Sequence, residues 1–285
     1  MKFPAFAYAQ PTTVAEAVQL LASDEEARPL AGGQTLFPIL ALRMSMPSCL
    51  VDLNAIDGLR DITVGDGTVT VGAMVTHAQN LASAEHRTHL PLLSEAVRHV
   101  AHEAIRTRGT IGGSIAHADA AAEMPLVAIA LDATMIIATE QGERRVAASD
   151  FFAGHYTTDI QTGELLTAIE FPISDHRWAF EEVARRPGDF ALVMSAAGLK
   201  LNNGLCESAS IALGSVADRP LRAPQAEEYL VGKQVTTEVA TEAAQIATQD
   251  LKSHGDIHAS AEYRRTVVGT MVKRALVRAA TEESA

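Results

Sequence analysis

The sequence predicts an α+β protein of two units, and three observations predict it. As far as about residue 173, short apolar runs of strand type alternate with helical stripes. Two glycine pairs, Gly32-Gly33 and Gly112-Gly113, punctuate that stretch. After Pro172 three extended segments follow one another and give way to helices, the pattern of a three-stranded antiparallel sheet with a helical bundle. With 285 residues the chain is long enough for two cores. The change of texture divides it into an N-terminal domain at 1–175 and a C-terminal domain at 176–285.

Val14, Ala17, Val18 and Leu21 form a helical stripe opened by Thr12 or Thr13 as N-cap. Arg28–Ala31 reads as a short strand, followed by the turn Gly32-Gly33-Gln34-Thr35 and a helix from Leu36 to Met44. Cys49–Leu53 is a buried strand, and Leu59–Val64 pairs with Thr68–Val71 around Gly65-Asp66-Gly67. Pro91–Ala101 carries Leu92, Leu93, Ala96, Val97 and Val100 on one helical face. A second glycine turn, Arg108–Ser114, leads towards a helix over Ala121–Leu131. Ala133–Ala138 and Arg144–Ala147 form a strand pair turned at Gln141-Gly142, and Leu165–Ile173 adds another strand.

In the second unit, Trp178–Arg185, Ala191–Leu201 and Cys206–Val216 read as strands, the last two joined at Asn202-Asn203-Gly204. The small residues Ser195–Gly198 leave the middle segment open between helix and strand. Ala223–Val231, Glu238–Leu251 and Ser260–Ala280 are helical by period.

Thirty-five acidic against 23 basic residues give a formal charge of −12, and no run of Lys or Arg offers a footprint for nucleic acid or an anionic membrane. The N-terminus has no apolar core of a secretory signal. The longest apolar stretch, Met124–Ala138, is broken by Pro125, Asp132 and Thr134, so a cytoplasmic protein without membrane insertion is expected. Cys49 and Cys206 are too few for an iron–sulfur cluster or a Cys-rich zinc site, and read as buried thiols. His117, Asp119 and Glu123 are possible metal ligands. The simpler reading has Asp119 binding a ligand hydroxyl or loop amides while His117 and Glu123 are solvated or cap a helix, so neither a metal nor a catalytic residue is assigned.

The glycine pairs carry the strongest chemical signal. Without Cβ atoms, backbone N–H groups approach an anion closely, and a following helix adds favourable partial charge. Either pair alone reads as a tight turn. Two of them, at 32 and 112, each with Thr or Ser beside it, point to a diphosphate. No G-x-G-x-x-G follows a strand and no G-x-x-x-x-G-K-[ST] is present, which disfavours a Rossmann site and a P-loop. Ser114 lacks the closing glycine of a nucleophile elbow, and Arg106 stands where a zincin's second His belongs.

Four segments carry a resemblance: Arg28–Leu36 "RPLAGGQTL", Pro47–Leu53 "PSCLVDL", Arg106–Ser114 "RTRGTIGGS" and Ala116–Pro125 "AHADAAAEMP". They resemble the FAD-binding medium subunit of molybdenum hydroxylases, the xanthine dehydrogenase and carbon monoxide dehydrogenase superfamily. Gly188-Asp189-Phe190-Ala191 and the C-terminal helices extend the match over essentially the whole chain. Ala120 in place of Pro, and Glu103-Ala104 in place of Pro-Gln, depart from the family pattern. The stretch His99–Pro125 is most similar to the quinoline 2-oxidoreductase branch, which hydroxylates N-heteroaromatic rings.

The resemblance implies an N-terminal FAD domain of two α/β subdomains, like that of vanillyl-alcohol oxidase, and a C-terminal flavin-subunit domain. It implies that Ala31, Gly32, Gly33, Gln34 and Thr35 wrap the FAD diphosphate with Thr110, Ile111, Gly112, Gly113 and Ser114, and that Pro29, Leu30, Leu36 and Thr76 are also cofactor-binding. Asp119 would contact ribityl or ring-side atoms and Leu166 would offer its backbone to the ring. Phe190 would stack over it, where the family often has Tyr. Arg185 or Arg186 would supply positive charge to reduced flavin, or else the two form a solvated pair on a strand.

The partners implied are a large subunit with a molybdenum–pterin centre and a small subunit with two [2Fe–2S] clusters, in a dimer of heterotrimers. Electrons would pass from the clusters to FAD here and on to an external acceptor. The alternatives are a stand-alone FAD oxidase or dehydrogenase, and a nucleotide-binding scaffold without redox role.

Overall fold

The computed structural model describes residues 2–281. Three short strands, Ala7–Ala9, Arg28–Leu30 and Cys49–Asp52, form a parallel sheet with Cys49–Asp52 in the middle. Parallel neighbours need crossovers, supplied by the helices Val14–Ser23 and Leu36–Ala41. The first is capped by the Thr13 hydroxyl, which accepts from the Glu16 N–H at 3.2 Å, and it buries Ala17, Val18 and Leu21 against Val51 and Leu53.

A second sheet is antiparallel, in the order Ile62–Gly65, Thr68–Gly72, Leu165–Pro172, Thr134–Thr139, Gly142–Ala147. Its inward face presents Val69, Val71, Met135, Ile137, Ile169 and Phe171, all fully buried. The helix Glu123–Ala130 lies in the same core and is buried along its whole length. Apolar on every side beyond Glu123, it has no amphipathic stripe, as expected of an interior helix.

The third sheet joins Arg177–Ala184, Ala191–Asn202 and Leu205–Gly214 as expected, and the two-residue strand Leu221–Arg222 extends it to four. Tertiary packing resolves the ambiguous Ser195–Gly198 run as strand. A Cβ on Gly198 would come within 2.5 Å of the Trp178 ring lying across it. Met194 and Ala196 face the N-terminal core, while Val193, Ala197 and Leu199 face Val268, Val272, Ala275 and Leu276 of the helix Ala261–Thr281. That helix packs with Pro224–Leu230 and Thr237–Thr248. Its Arg278 donates to Glu95 at 2.8 Å and Glu181 at 2.9 Å, tying it to the helix Pro91–Ala96 and to the sheet.

Four expectations change. The helix from Leu36 ends at Ala41 because the chain turns through Arg43 at φ 57°. The helix from Pro91 ends at Ala96, short of Ala101, where φ is 41°. Short helices His77–Ala82, Ala84–His89 and Glu103–Arg106 appear where the sequence shows no apolar stripe. The second glycine turn is the start of a helix, Ile111–His117. No helix among the described residues is long and apolar enough to cross a membrane.

Candidate functional site

The two glycine segments, distant in sequence, interlock. The backbone at Gly32 lies so close to the other segment that a Cβ there would sit 2.0 Å from the Arg108 carbonyl oxygen and 2.9 Å from the Gly109 Cα. A Cβ on Gly113 would lie 3.8 Å from that of Ala31. Gly33 takes φ 70°, a left-handed conformation that favours glycine, at the bend into Leu36–Ala41. Asn54 steadies the first segment by donating to the Ala31 carbonyl at 3.3 Å, and Arg60 holds Asn54 at 2.7 Å. The Gln34 side chain closes back on the Gly32 carbonyl at 3.0 Å.

The second segment is held differently. Its N–H groups at Ile111 and Gly112 donate to the carbonyls of Val75 at 3.0 Å and Ala73 at 2.9 Å. The Gly113 N–H donates to the hydroxyl of Thr110, the N-cap. Three donors at this helix start are therefore already engaged, and the expectation that it offers bare amides to an anion is corrected. Gly112 is glycine because a Cβ would meet Ala73 at 2.4 Å. Thr76 bridges to Thr110 and caps His77–Ala82 in a reciprocal pair with Gln79, which brings it beside the second segment.

Leu166 is buried in Leu165–Pro172 at a bulge, and the next carbonyl, Thr167, accepts from the Ala73 N–H at 2.8 Å. Ala73 thus touches both Gly112 and the strand of Leu166.

Asp119 and Phe190 belong to separate loops that Ser215 joins. The Ser215 N–H donates to the Ala120 carbonyl at 2.8 Å and its hydroxyl donates to the Ala191 carbonyl at 2.7 Å. The Phe190 side is braced where Gly188, at φ 76°, sits against His102; a Cβ there would be 2.7 Å from the imidazole. Phe190 itself is 66% exposed, a large apolar side chain at the surface. Arg185 and Arg186 both point to Asp189, at 3.1 and 3.8 Å, so their charge is shared with a carboxylate. Arg186 is the more exposed of the two.

Several residues beside these loops carry no sequence signal. The Tyr156 ring lies 4.9 Å from that of His117 and the Tyr156 N–H donates to the Ala118 carbonyl at 3.3 Å; burial and then the charge of Asp119 raise the phenol. Glu123 is buried four positions beyond Asp119, and burial pushes its carboxyl up to about 7. Glu182 is pushed up to about 8 by burial and then by Glu123, with His99 Nδ1 at 3.8 Å. His77, against Gly109, is driven down to about 4 by burial and then by Arg106. The one signal available to find any of this neighbourhood is the T-x-x-Q spacing of Thr76 and Gln79, a capping box.

The residues fit an anionic, ring-bearing ligand. Residues 29–36 and 109–114 contain no carboxylate and carry the hydroxyls of Thr35, Thr110 and Ser114. The Thr110 oxygen accepts from Gly113 and keeps its own O–H to donate. Comparison with known proteins agrees. The family described as "FAD binding domain in molybdopterin dehydrogenase" matches residues 4–174, and "CO dehydrogenase flavoprotein C-terminal domain" matches residues 178–279. The chain belongs to the flavin-binding medium subunits of the molybdenum hydroxylases.

The medium subunit is 38% identical to the nicotine 6-hydroxylase medium subunit of Paenarthrobacter nicotinovorans, over 98% of this chain and 99% of that one. It is likewise 38% identical to the carbon monoxide dehydrogenase medium chain of Afipia carboxidovorans, over 96% of each. Its structure superposes on quinoline 2-oxidoreductase from Pseudomonas putida 86 with a TM-score of 0.96 at 48% identity, covering 98% of both chains. It is an oxidoreductase subunit that carries an FAD-binding domain.

Proposed function

We propose that this medium subunit is the electron exit of a heterotrimeric molybdenum hydroxylase acting on an N-heteroaromatic compound. The substrate is hydroxylated on a large molybdopterin-binding subunit, and electrons reach this chain from two [2Fe–2S] clusters on a small subunit. FAD, when bound, supplies a carrier that takes up and gives out one or two electrons and so matches clusters to an external acceptor.

The chain's own residues bind and orient. Residues 29–36, 110–114 and Thr76 hold the diphosphate, Asp119 and the Leu166 backbone address the polar edge, and Phe190 covers a face of the ring. Arg186 adds charge that Asp189 moderates. The division at 175/176 separates the segment holding the diphosphate from the one supplying Phe190. A dimer of heterotrimers in the cytoplasm suits a chain whose two cysteines are free thiols.

The observation that carries the reading is the interlock of two carboxylate-free loops at Gly32 and Arg108. The substrate class draws support from relatives named for quinoline and nicotine. The test is purification from the native host. An FAD spectrum, with a cluster-bearing small chain and a molybdopterin-bearing large chain in the same fraction, is the expected result. FAD in a self-sufficient single chain would overturn the relay, and a flavin-free complex would overturn the site.

A further inference from the structure

Arg264 is 6% exposed on the helix Ala261–Thr281, far in sequence from every residue placed around the flavin. A guanidinium in that position is costly unless its donors are used. One terminal nitrogen donates to the Leu192 carbonyl, to the Ser215 carbonyl at 2.9 Å and to the Ser215 hydroxyl at 3.0 Å. The other donates to Asp256 at 2.7 Å, whose second oxygen accepts the N–H groups of His258 and Ala259. Ser215 sits at φ 60°, a left-handed conformation uncommon for a side-chain-bearing residue. In that conformation it reaches the Ala120 carbonyl with its N–H and the Ala191 carbonyl with its hydroxyl.

The chain of contacts therefore runs from Asp256 through Arg264 and Ser215 to the neighbours of Asp119 and Phe190. We infer that Arg264 and Ser215 are positioning residues for the flavin ring, fixing the Asp119 loop relative to the strand that Phe190 opens. The inference rests on the proposed placement of the ring at Asp119 and Phe190. A planar fork serves several acceptors at fixed angles, which the point charge of a lysine does not. Had the knot served only to anchor the C-terminal helix, its acceptors would not need to be the residues adjoining both ring-side loops.

The test uses the FAD-loaded complex with S215A, R264K and V268A. Val268 is fully buried on the same helix in the C-terminal core and takes part in none of these hydrogen bonds, so V268A reports loss of core packing. Thermal midpoint, FAD release rate and flavin midpoint potential are read for each. S215A and R264K are expected to release FAD roughly fivefold to tenfold faster, the scale of one or two lost hydrogen bonds, and to shift the potential. V268A is expected to lower the thermal midpoint without either change. Release and potential in S215A and R264K no different from V268A would overturn the inference. D119N and F190A separate the two failures: if they move the flavin signature while S215A and R264K do not, only the positioning role falls. If D119N and F190A leave it unmoved, the ring placement falls and the inference with it.

Discussion

The segments Ala31–Thr35 and Thr110–Ser114 look like copies of one device, a glycine pair beside a hydroxyl, yet the fold uses them in opposite ways. The first is an irregular turn whose Gly32 exists to let the Arg108 carbonyl in and whose Gly33 exists for its φ. The second is a helix start in regular conformation, its early amides already donating to Val75, Ala73 and Thr110. Gly112 there serves packing against Ala73, and Gly113 alone faces the gap towards Ala31. Glycine pairs of one appearance thus divide into three wedged or bent positions and one, Gly113, that is crowded only by the Thr110 side chain.

Gly32→Ala puts the sharpest strain on that contrast. A Cβ 2.0 Å from a backbone oxygen cannot be accommodated by a rotamer change. The variant should lose about 3 kcal/mol, the upper part of the overpacking range, and its FAD as well. Equilibrium unfolding with flavin content checks both, and native stability would show that the loops do not interlock.

Acid should loosen the second segment before the first. His77 is buried beside Gly109 with its proton affinity lowered to about 4 against an ordinary 6.5. Between those values the unfolded chain binds a proton that the folded chain refuses, so stability falls as pH drops. The loss from this group reaches about 3 kcal/mol by pH 4. Thermal melts from pH 7 to 4 should show a shallower acid limb in H77Q. Glu182, raised to about 8 by burial, has the opposite sign: the unfolded chain releases its proton first, so stability is lost as pH rises from about 4.5 to 8.

Gly113→Ala should sharpen the comparison from the other side. Its Cβ meets only the Thr110 hydroxyl, at 2.9 Å, and faces Ala31. A helical Gly to Ala change gains up to about 1 kcal/mol in propensity, which offsets the crowding. Stability should stay near native while FAD affinity falls about tenfold, equivalent to about 1.4 kcal/mol. A titration of deflavinated protein with FAD reads it directly.

The smallest contrast lies between the threonines. Thr110 caps its helix and Thr35 makes no capping hydrogen bond. Thr110→Val should cost about 1 kcal/mol of stability, and Thr35→Val, at an exposed position, less than about 0.5 kcal/mol. Both should weaken FAD. A stability loss in T35V equal to that in T110V would mean that the two segments are held alike after all.

The sequence by itself determined the elements whose cause is local. Asp66-Gly67 and Asn203-Gly204 form two-residue turns because both residues of each accept positive φ. Thr13 caps its helix, and the periodic stripe of Val268, Met271, Val272, Ala275, Leu276 and Ala279 becomes the buried face of the C-terminal helix. The glycine pairs, and a family resemblance along most of the chain, marked two segments that the fold brings into contact. What the tertiary structure alone decided has non-local causes. Leu165–Pro172 becomes the central strand of a sheet whose other members come from two earlier hairpins. The Ser195–Gly198 run becomes strand because neighbours cover both its faces, and a ring lies over Gly198. Ser215, Arg264, Tyr156 and Glu182 gain their meaning from partners as far as 95 positions away, or from burial that no local pattern encodes. Hydrogen bonding and packing at contact distance pick out these partners, and a chain read in order does not contain those distances.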